Sequence, residues 1–496
     1  MVALAERLDQ LAGRRVVAAA DRATLRRVAL SLSFLFCAVL AQLLRTPGVP
    51  PWRSLLAEDG GIFYTDALNR PLLGAVTRPY EGYLHVVPRL LAEVAAVFPV
   101  ATAAVVLNGG AALVVAALAL YVWSTASPVL PSRFARGLLT AAIIALPAAA
   151  FEVNASVNNL HWYLDFACLW VFLAPPRGRG AACAGAVTAA AAALSDPLTA
   201  MLIPLAGYRL WEARRAAERP PWRLAPPVAF ATCLALQLLY GVAERAPQSF
   251  VRVDWRDLPG TYGLRVAGSL LIGDRFTPGL FHRYGLAVAF GCLAVAVAAA
   301  AAALLVTRGR LRADIAVIFT YSVAFLTIPL LIRGTAIFLD QDRVTLQGSR
   351  YMLVPALLLL AGVLAAVFGQ PPASRARERP GSTGRARRAA RVAAVTVVGA
   401  VLVLNFRMAS VRSSGPEWRD GVAAARARCL ARGGDPPGSV TSAPNLWATA
   451  VGPGQVAIPG AHGQGVVSSW NVIVSCDRMA GRPVSASSGP TRSHQK

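Results

Sequence analysis

Eleven runs of alanine, leucine and valine, each nearly free of charge, recur at 28–44, 101–124, 137–151, 160–174, 181–194, 198–211, 224–243, 284–306, 313–332, 351–369 and 391–406. Backbone crosses hydrocarbon only when its own polar groups are paired within the segment, so an apolar run of about 20 residues reads as a membrane-spanning helix. With 56% of its 496 residues apolar and 15% charged, the chain is too apolar for an ordinary soluble domain. The expected class is therefore an all-α polytopic membrane protein of eleven transmembrane helices, within a range of ten to twelve. The fifth and sixth runs, separated only by "SDP" at 195–197, are either two spans or one re-entrant pair.

The net charge of +24 is carried by arginines in short clusters between the apolar runs, and Lys496 is the only lysine. That distribution orients helices in a bilayer. It offers no continuous basic face and no RNA-binding signature, which excludes a nucleic-acid partner. The N-terminal segment 1–27 holds Arg14, Arg15, Arg22, Arg26 and Arg27, and every second gap after it is again basic. The last of these gaps, 370–391, contains "RARERPGSTGRARRAAR" and reads as a disordered cytoplasmic loop. The parity places the N-terminus in the cytoplasm and the C-terminus outside, in a multi-pass protein of the plasma membrane. A leader of 27 residues and no small-x-small cleavage site make the first run an uncleaved helix and not a signal peptide.

The membrane domain is thus 28–406. Its exoplasmic loops are 45–100, 244–283 and 333–350, with a short turn "FEVNASVNN" at 151–159, and a small extracytoplasmic domain or tail covers 407–496. Five cysteines lie in apolar runs as small hydrophobes. Cys429 and Cys476 lie in the tail, in a compartment where disulfides persist, and are expected to be bridged. The first loop places adjacent acids, Glu58 and Asp59, in "LLAEDGGIFYTDAL" and reads as one or two helices lying at the membrane surface. His161 and Asp165 in "NNLHWYLDFACLW" fall four apart, on one helix face near the outer end of the fourth run. A carboxylate inside a span usually faces a cavity or a partner. Among the exoplasmic arginines, Arg350 stands where the tenth run begins, and an arginine fork suits phosphate oxygens. Walker loops, zinc spacings, GxSxG and a strand-borne GxGxxG do not occur.

On "AEDGGIFY" at 57–64 and "RYMLVP" at 350–355, with this topology, the chain resembles the GT-C membrane glycosyltransferases, including those of actinobacterial cell envelopes. The resemblance implies a GT-C-like fold and transfer, with inversion, from a polyprenyl-phosphate-linked sugar to an envelope glycan, lipid or protein. It makes Asp59 the general base, with Glu58 assisting it or binding the acceptor or a metal. Arg350 becomes a phosphate ligand, and Tyr351, His85, Arg89, His161 and Asp165 become substrate-pocket residues. No cofactor is implied beyond a divalent cation, left open, on Glu58 and Asp59. The Glu-Asp order and the short tail depart from the simplest family pattern. A transporter or flippase for a lipid-linked sugar would show internal repeats and midplane charge, and neither is read here. A non-catalytic scaffold would leave the acids replaceable.

Overall fold

The computed structural model describes residues 24–215, 220–243, 255–333, 346, 348–369, 382–431, 455–459 and 471–479. Most of the 1–27 segment, residues 370–381 of the basic loop, and parts of loops 244–283 and 333–350 and of the tail lie outside the described residues.

Every one of the eleven apolar runs forms a helix. The first is α1 (Thr24–Leu44). Three short helices follow in the first loop, α2 (Thr65–Asn69), α3 (Leu72–Val76) and α4 (Val86–Val97), preceded by a π-helical turn at Asp59–Tyr64. Then come α5 (Ala103–Thr125), α6 (Arg133–Ala145), α7 (Leu160–Leu173), α8 (Arg179–Ala193), α9 (Ile203–Arg215) and α10 (Ala225–Ala243). The next loop folds into α11 (Asp257–Thr261), a second π-helical turn (Tyr262–Ala267), α12 (Gly268–Leu271) and α13 (Thr277–Tyr284). The bundle closes with α14 (Leu286–Val306), α15 (Gly309–Arg333), α16 (Arg350–Phe368) and α17 (Ser382–Leu404). The tail supplies α18 (Trp418–Ala431), an antiparallel pair β1 (Gln455–Pro459) and β2 (Asn471–Ser475), and α19 (Cys476–Met479).

Among the described residues, six helices, α1, α5, α10 with its leading turn, α14, α15 and α16, are long and apolar enough to cross a membrane. The chain is thus a multi-pass membrane protein. Burial separates the centre of the bundle from its rim. The apolar window of α16 is 78% buried, whereas that of α1 is 11% and that of α14 is 22%. Leu30, Leu32 and Phe36 of α1 are accordingly exposed, as lipid-facing side chains should be. At 14 residues, α7 is only about 21 Å long by helical rise. All 14 of those residues are buried. It packs against α5, α8 and α16 and needs no lipid-facing length.

One expectation needs correction. The basic stretch 370–391 was expected to be disordered throughout, but α17 begins at Ser382, so residues 382–391 are helical. Seven of the ten residues from Ser382 to Arg391 are Ala or Arg, good helix formers, and they continue without a break into an apolar run.

The loop before α14 turns back against it. A Cβ on Gly263 would lie 2.0 Å from the carbonyl oxygen of Ala289, so the π-helical turn and α14 meet backbone to backbone. Glycine is required there by space, not by torsion. Gly291, by contrast, has nothing within 4 Å of a built Cβ. We expect Gly263→Ala to lower stability by about 1–3 kcal/mol through overpacking. Gly291→Ala should be neutral or stabilising by up to about 1 kcal/mol. Thermal unfolding of the two variants in detergent separates these outcomes.

Candidate active site

The polar residues of the bundle gather at one end. Arg45, at the end of α1, is 1% exposed. Its guanidinium donates to the carbonyls of Ile144 (3.3 Å), Ala145 (3.2 Å) and Leu146 (3.0 Å) at the end of α6, and to Phe406 (3.4 Å) just past α17. The last carbonyls of a helix have no partner within it, so one buried arginine caps α6 and also meets the chain leaving α17.

Beside this cap runs the loop 151–159, stitched on every side. Asn154 donates to the carbonyl of Gln42 (2.8 Å), and Arg412 donates to that of Ala155 (3.1 Å). Ala155 sits at φ 50°, the left-handed region that a non-glycine residue enters only under external constraint. Asp59 supplies the constraint from the other side. One of its oxygens accepts from the backbone N–H of Asn158 (2.7 Å) and the hydroxyl of Ser156 (3.3 Å), and the other accepts from the N–H of Val157 (2.9 Å). Asp59 is 1% exposed. Burial pushes its carboxyl up to about 6, against the opposing pull of Arg412 and of the two N–H groups.

The loop leads into α7 and so places His161. Its Nδ1 donates to the carbonyl of Asn158 (2.7 Å), which only accepts, and this leaves Nε2 facing Asp196 Oδ2 at 3.5 Å. The His161 partner is therefore Asp196, and not Asp165 as the i,i+4 spacing implied. Asp196 opens the turn after α8, where it accepts from the N–H of Leu198 (2.8 Å), and burial raises its carboxyl to about 7. Asp165, on α7, interacts electrostatically with Asp196. His85 stands next in line, its ring 6.2 Å from that of His161 and 4.1 Å from that of Tyr83. The segment after it is tied to the Asp196 turn through Val86 N–H to Leu194 (3.3 Å) and Val87 N–H to the Ser195 hydroxyl (3.3 Å).

The opposite wall is the start of α16. Tyr351 meets Trp162 edge to face at 5.2 Å, and the Arg350 guanidinium lies 5.3 Å from the centre of its ring. Arg350 interacts electrostatically with Glu152 and Glu58. Glu152 accepts from Gly348 N–H (3.0 Å) through one oxygen, and its other oxygen is buried without a partner among the described residues. Glu58 is half-buried, and its carboxylate makes no hydrogen bond to a described residue. The second half of the tail covers the outside of this loop. Ile473 N–H donates to Thr65 Oγ1 (3.1 Å), Asn69 Nδ2 donates to the Ile473 carbonyl (2.8 Å), and Val472 packs on Gly60. Cys429 and Cys476 are joined in a disulfide across 47 residues, which ties α18 to α19.

Of the residues expected in a site, Glu58, Asp59, His85, His161, Asp165, Arg350 and Tyr351 thus lie in one polar layer. Arg89 is placed differently. Its Nη1 donates to Asp66 (2.9 Å) and to the carbonyl of Ala75 (2.7 Å), and Asp66 also receives Arg70 and Arg78. Arg89 therefore braces the first loop from below. Sequence reasoning missed Glu152, Asp196, Arg45 and Arg412. For Asp196 a signal was present: "SDP" is a helix-start pattern on the outer side of the arginine parity. Among the described residues, no group of three or more His, Cys, Asp or Glu could hold a metal. Both Asp59 oxygens are already committed to backbone donors, so the acid pair does not fit as a cation cage.

No protein-family model and no curated protein matches this chain. Among solved structures it is similar to the arabinofuranosyltransferase AftD from Mycobacteria, at 15% identity and a TM-score of 0.45. The alignment covers 85% of this chain and 31% of that one, so the chain spans about a third of that protein's length. A likeness of this size carries no assignment.

Because burial holds the Asp59 carboxyl above its ordinary value, its ionisation costs stability. That cost is absent below pH 4, grows as pH rises through about 6, and is constant above it. We expect the stability difference between wild type and Asp59→Asn to change by about 2–3 kcal/mol between pH 4 and pH 7. Chemical unfolding at the two pH values measures it, and an unchanged difference would place the Asp59 titration elsewhere.

Proposed function

We propose that this protein is a membrane glycosyltransferase that moves a sugar from a polyprenyl-phosphate donor to a hydroxyl of an envelope glycan, lipid or protein, at the exoplasmic face of the plasma membrane. The observation that carries the reading is the facing pair at one end of the bundle. Glu58 is a carboxylate without a described hydrogen-bond partner, and Arg350 is a guanidinium in its field. The sequence context of both residues is that of the membrane glycosyltransferases the chain resembles. A polar layer confined to one end, with an apolar bundle beyond it, also suits a lipid-borne donor better than the midplane site of a transporter.

In this reading the two acids exchange the roles expected from sequence. Glu58 is the general base, since its oxygens are available to a hydroxyl. Asp59 positions the loop that carries the wall of the site. The acceptor O–H gives its proton to Glu58 while its oxygen bonds to the anomeric carbon. The bond from that carbon to the phosphate oxygen breaks, and its electron pair leaves with the phosphate. A single displacement of this kind inverts the anomeric centre. Arg350, forked and held beside Tyr351, stabilises the departing charge. Asp196, which faces His161 from the turn after α8, lies beyond the reacting groups and helps to hold the pocket wall. A divalent cation, where one takes part, arrives with the donor phosphate.

A transfer assay in lipid with a panel of polyprenyl-phosphate sugars tests the proposal. Glu58→Gln should lower kcat by roughly 10²–10⁴-fold, and Arg350→Ala by roughly 10²–10³-fold. Asp59→Asn should chiefly lower the folded fraction. If wild type consumes no donor, or if Glu58→Gln matches wild type, the transferase reading fails, and flipping of the same lipids becomes the reading to measure.

A further inference from the structure

At the other end of the bundle, α12, α14, α16 and α17 enclose a cavity of about 550 Å³. Every residue lining it is alanine, leucine or valine except one, Arg391 of α17. Along α14 the lining runs from Val295 to Val306, eleven residues or about 17 Å by helical rise. That is close to half of the ~30 Å hydrocarbon thickness, the depth of one leaflet. An apolar slot of that depth matches an acyl chain lying along one leaflet.

The mouth of this groove carries its charge. Arg391 Nε donates to the carbonyl of Val367 (3.2 Å), and the guanidinium lies 5.6 Å from the ring of Phe368. Its Nη groups donate to no described residue, so two donors remain at the edge of an apolar slot. Arg388, one turn earlier, and Arg385 are exposed. No Asp or Glu occurs between Ser382 and Pro416 to balance them. Such a cluster beside hydrocarbon calls for an anion from outside the chain.

We propose that this groove holds one acyl chain of an anionic phospholipid, whose phosphate sits on Arg391, with Arg388 and Arg385 adding long-range attraction. By arginine parity this lipid belongs to the cytoplasmic leaflet. It is not the donor of the proposed transfer: Arg350 and Val367 lie seventeen residues apart on α16, about 26 Å by helical rise, so a headgroup at Arg391 cannot reach the acid pair. The proposal stands or falls independently of the transferase reading.

Native mass spectrometry of the full chain in detergent, with phosphatidylglycerol and phosphatidylcholine added in equal amounts, tests it. Wild type should retain phosphatidylglycerol over phosphatidylcholine by roughly tenfold, the ratio expected from one or two arginines at a membrane surface. Arg391→Gln should erase that preference. Ala299→Phe, which fills the groove and leaves every arginine in place, should lose both lipids. Equal retention by wild type, an unchanged preference in Arg391→Gln, or wild-type retention by Ala299→Phe would each overturn the site. Displacement of phosphatidylglycerol by a polyprenyl phosphate at equal concentration would overturn the phospholipid assignment in favour of the isoprenoid.

Discussion

The carboxylate of Asp59 is the point on which the polar end of the molecule hangs. A buried charge is tolerable only when hydrogen bonds replace the water it has lost. Asp59 finds them in two consecutive N–H groups and one hydroxyl of a loop nearly a hundred residues away. Satisfying the carboxylate fixes the path of residues 156–158. That path fixes the Asn158 carbonyl, which in turn orients the His161 ring toward Asp196. Arg412 completes the bracket by holding Ala155 in its left-handed conformation. Each contact is short-range, yet together they carry geometry from the first loop to α7 and the turn after α8.

Much of this architecture was legible in advance because it rests on one-dimensional physics. An apolar run of membrane length becomes a helix whatever its neighbours do, and all eleven runs did. The acid pair was noticeable because adjacent carboxylates are unusual in so apolar a chain. Partnerships were the part that could not be read. His161 and Asp165 share a helix face, but the partner of His161 comes from a turn 35 residues on, which the sequence displayed only as a Pro-marked break. Arg89, on α4 next to the site, looked like a substrate ligand. Its side chain instead turns to Asp66, where three arginines converge on one buried carboxylate. The division of labour between Glu58 and Asp59 was equally hidden, since it depends on which of two neighbours meets the N–H groups of 157 and 158.

The two ends of the bundle follow opposite logic. At one end buried charged groups are held by backbone groups, as with Arg45 capping α6 and Asp59 on the 156–158 loop. Moving the end of α6 would leave the buried guanidinium unsatisfied, which ties α1 and α6 together. At the other end the helices are separated by an apolar space with no internal partners to hold it shut.

The docking of β2 onto the first loop has a consequence in time. Asn69 and Ile473 are 404 residues apart, yet their hydrogen bond helps to cover the loop that carries the acid pair. At a synthesis rate of about 5–20 residues per second, the cover is made roughly 20–80 seconds after the loop it protects. For that interval the acids lack this cover, and the site takes its finished shape only when the tail has folded onto the loop and its two cysteines have met.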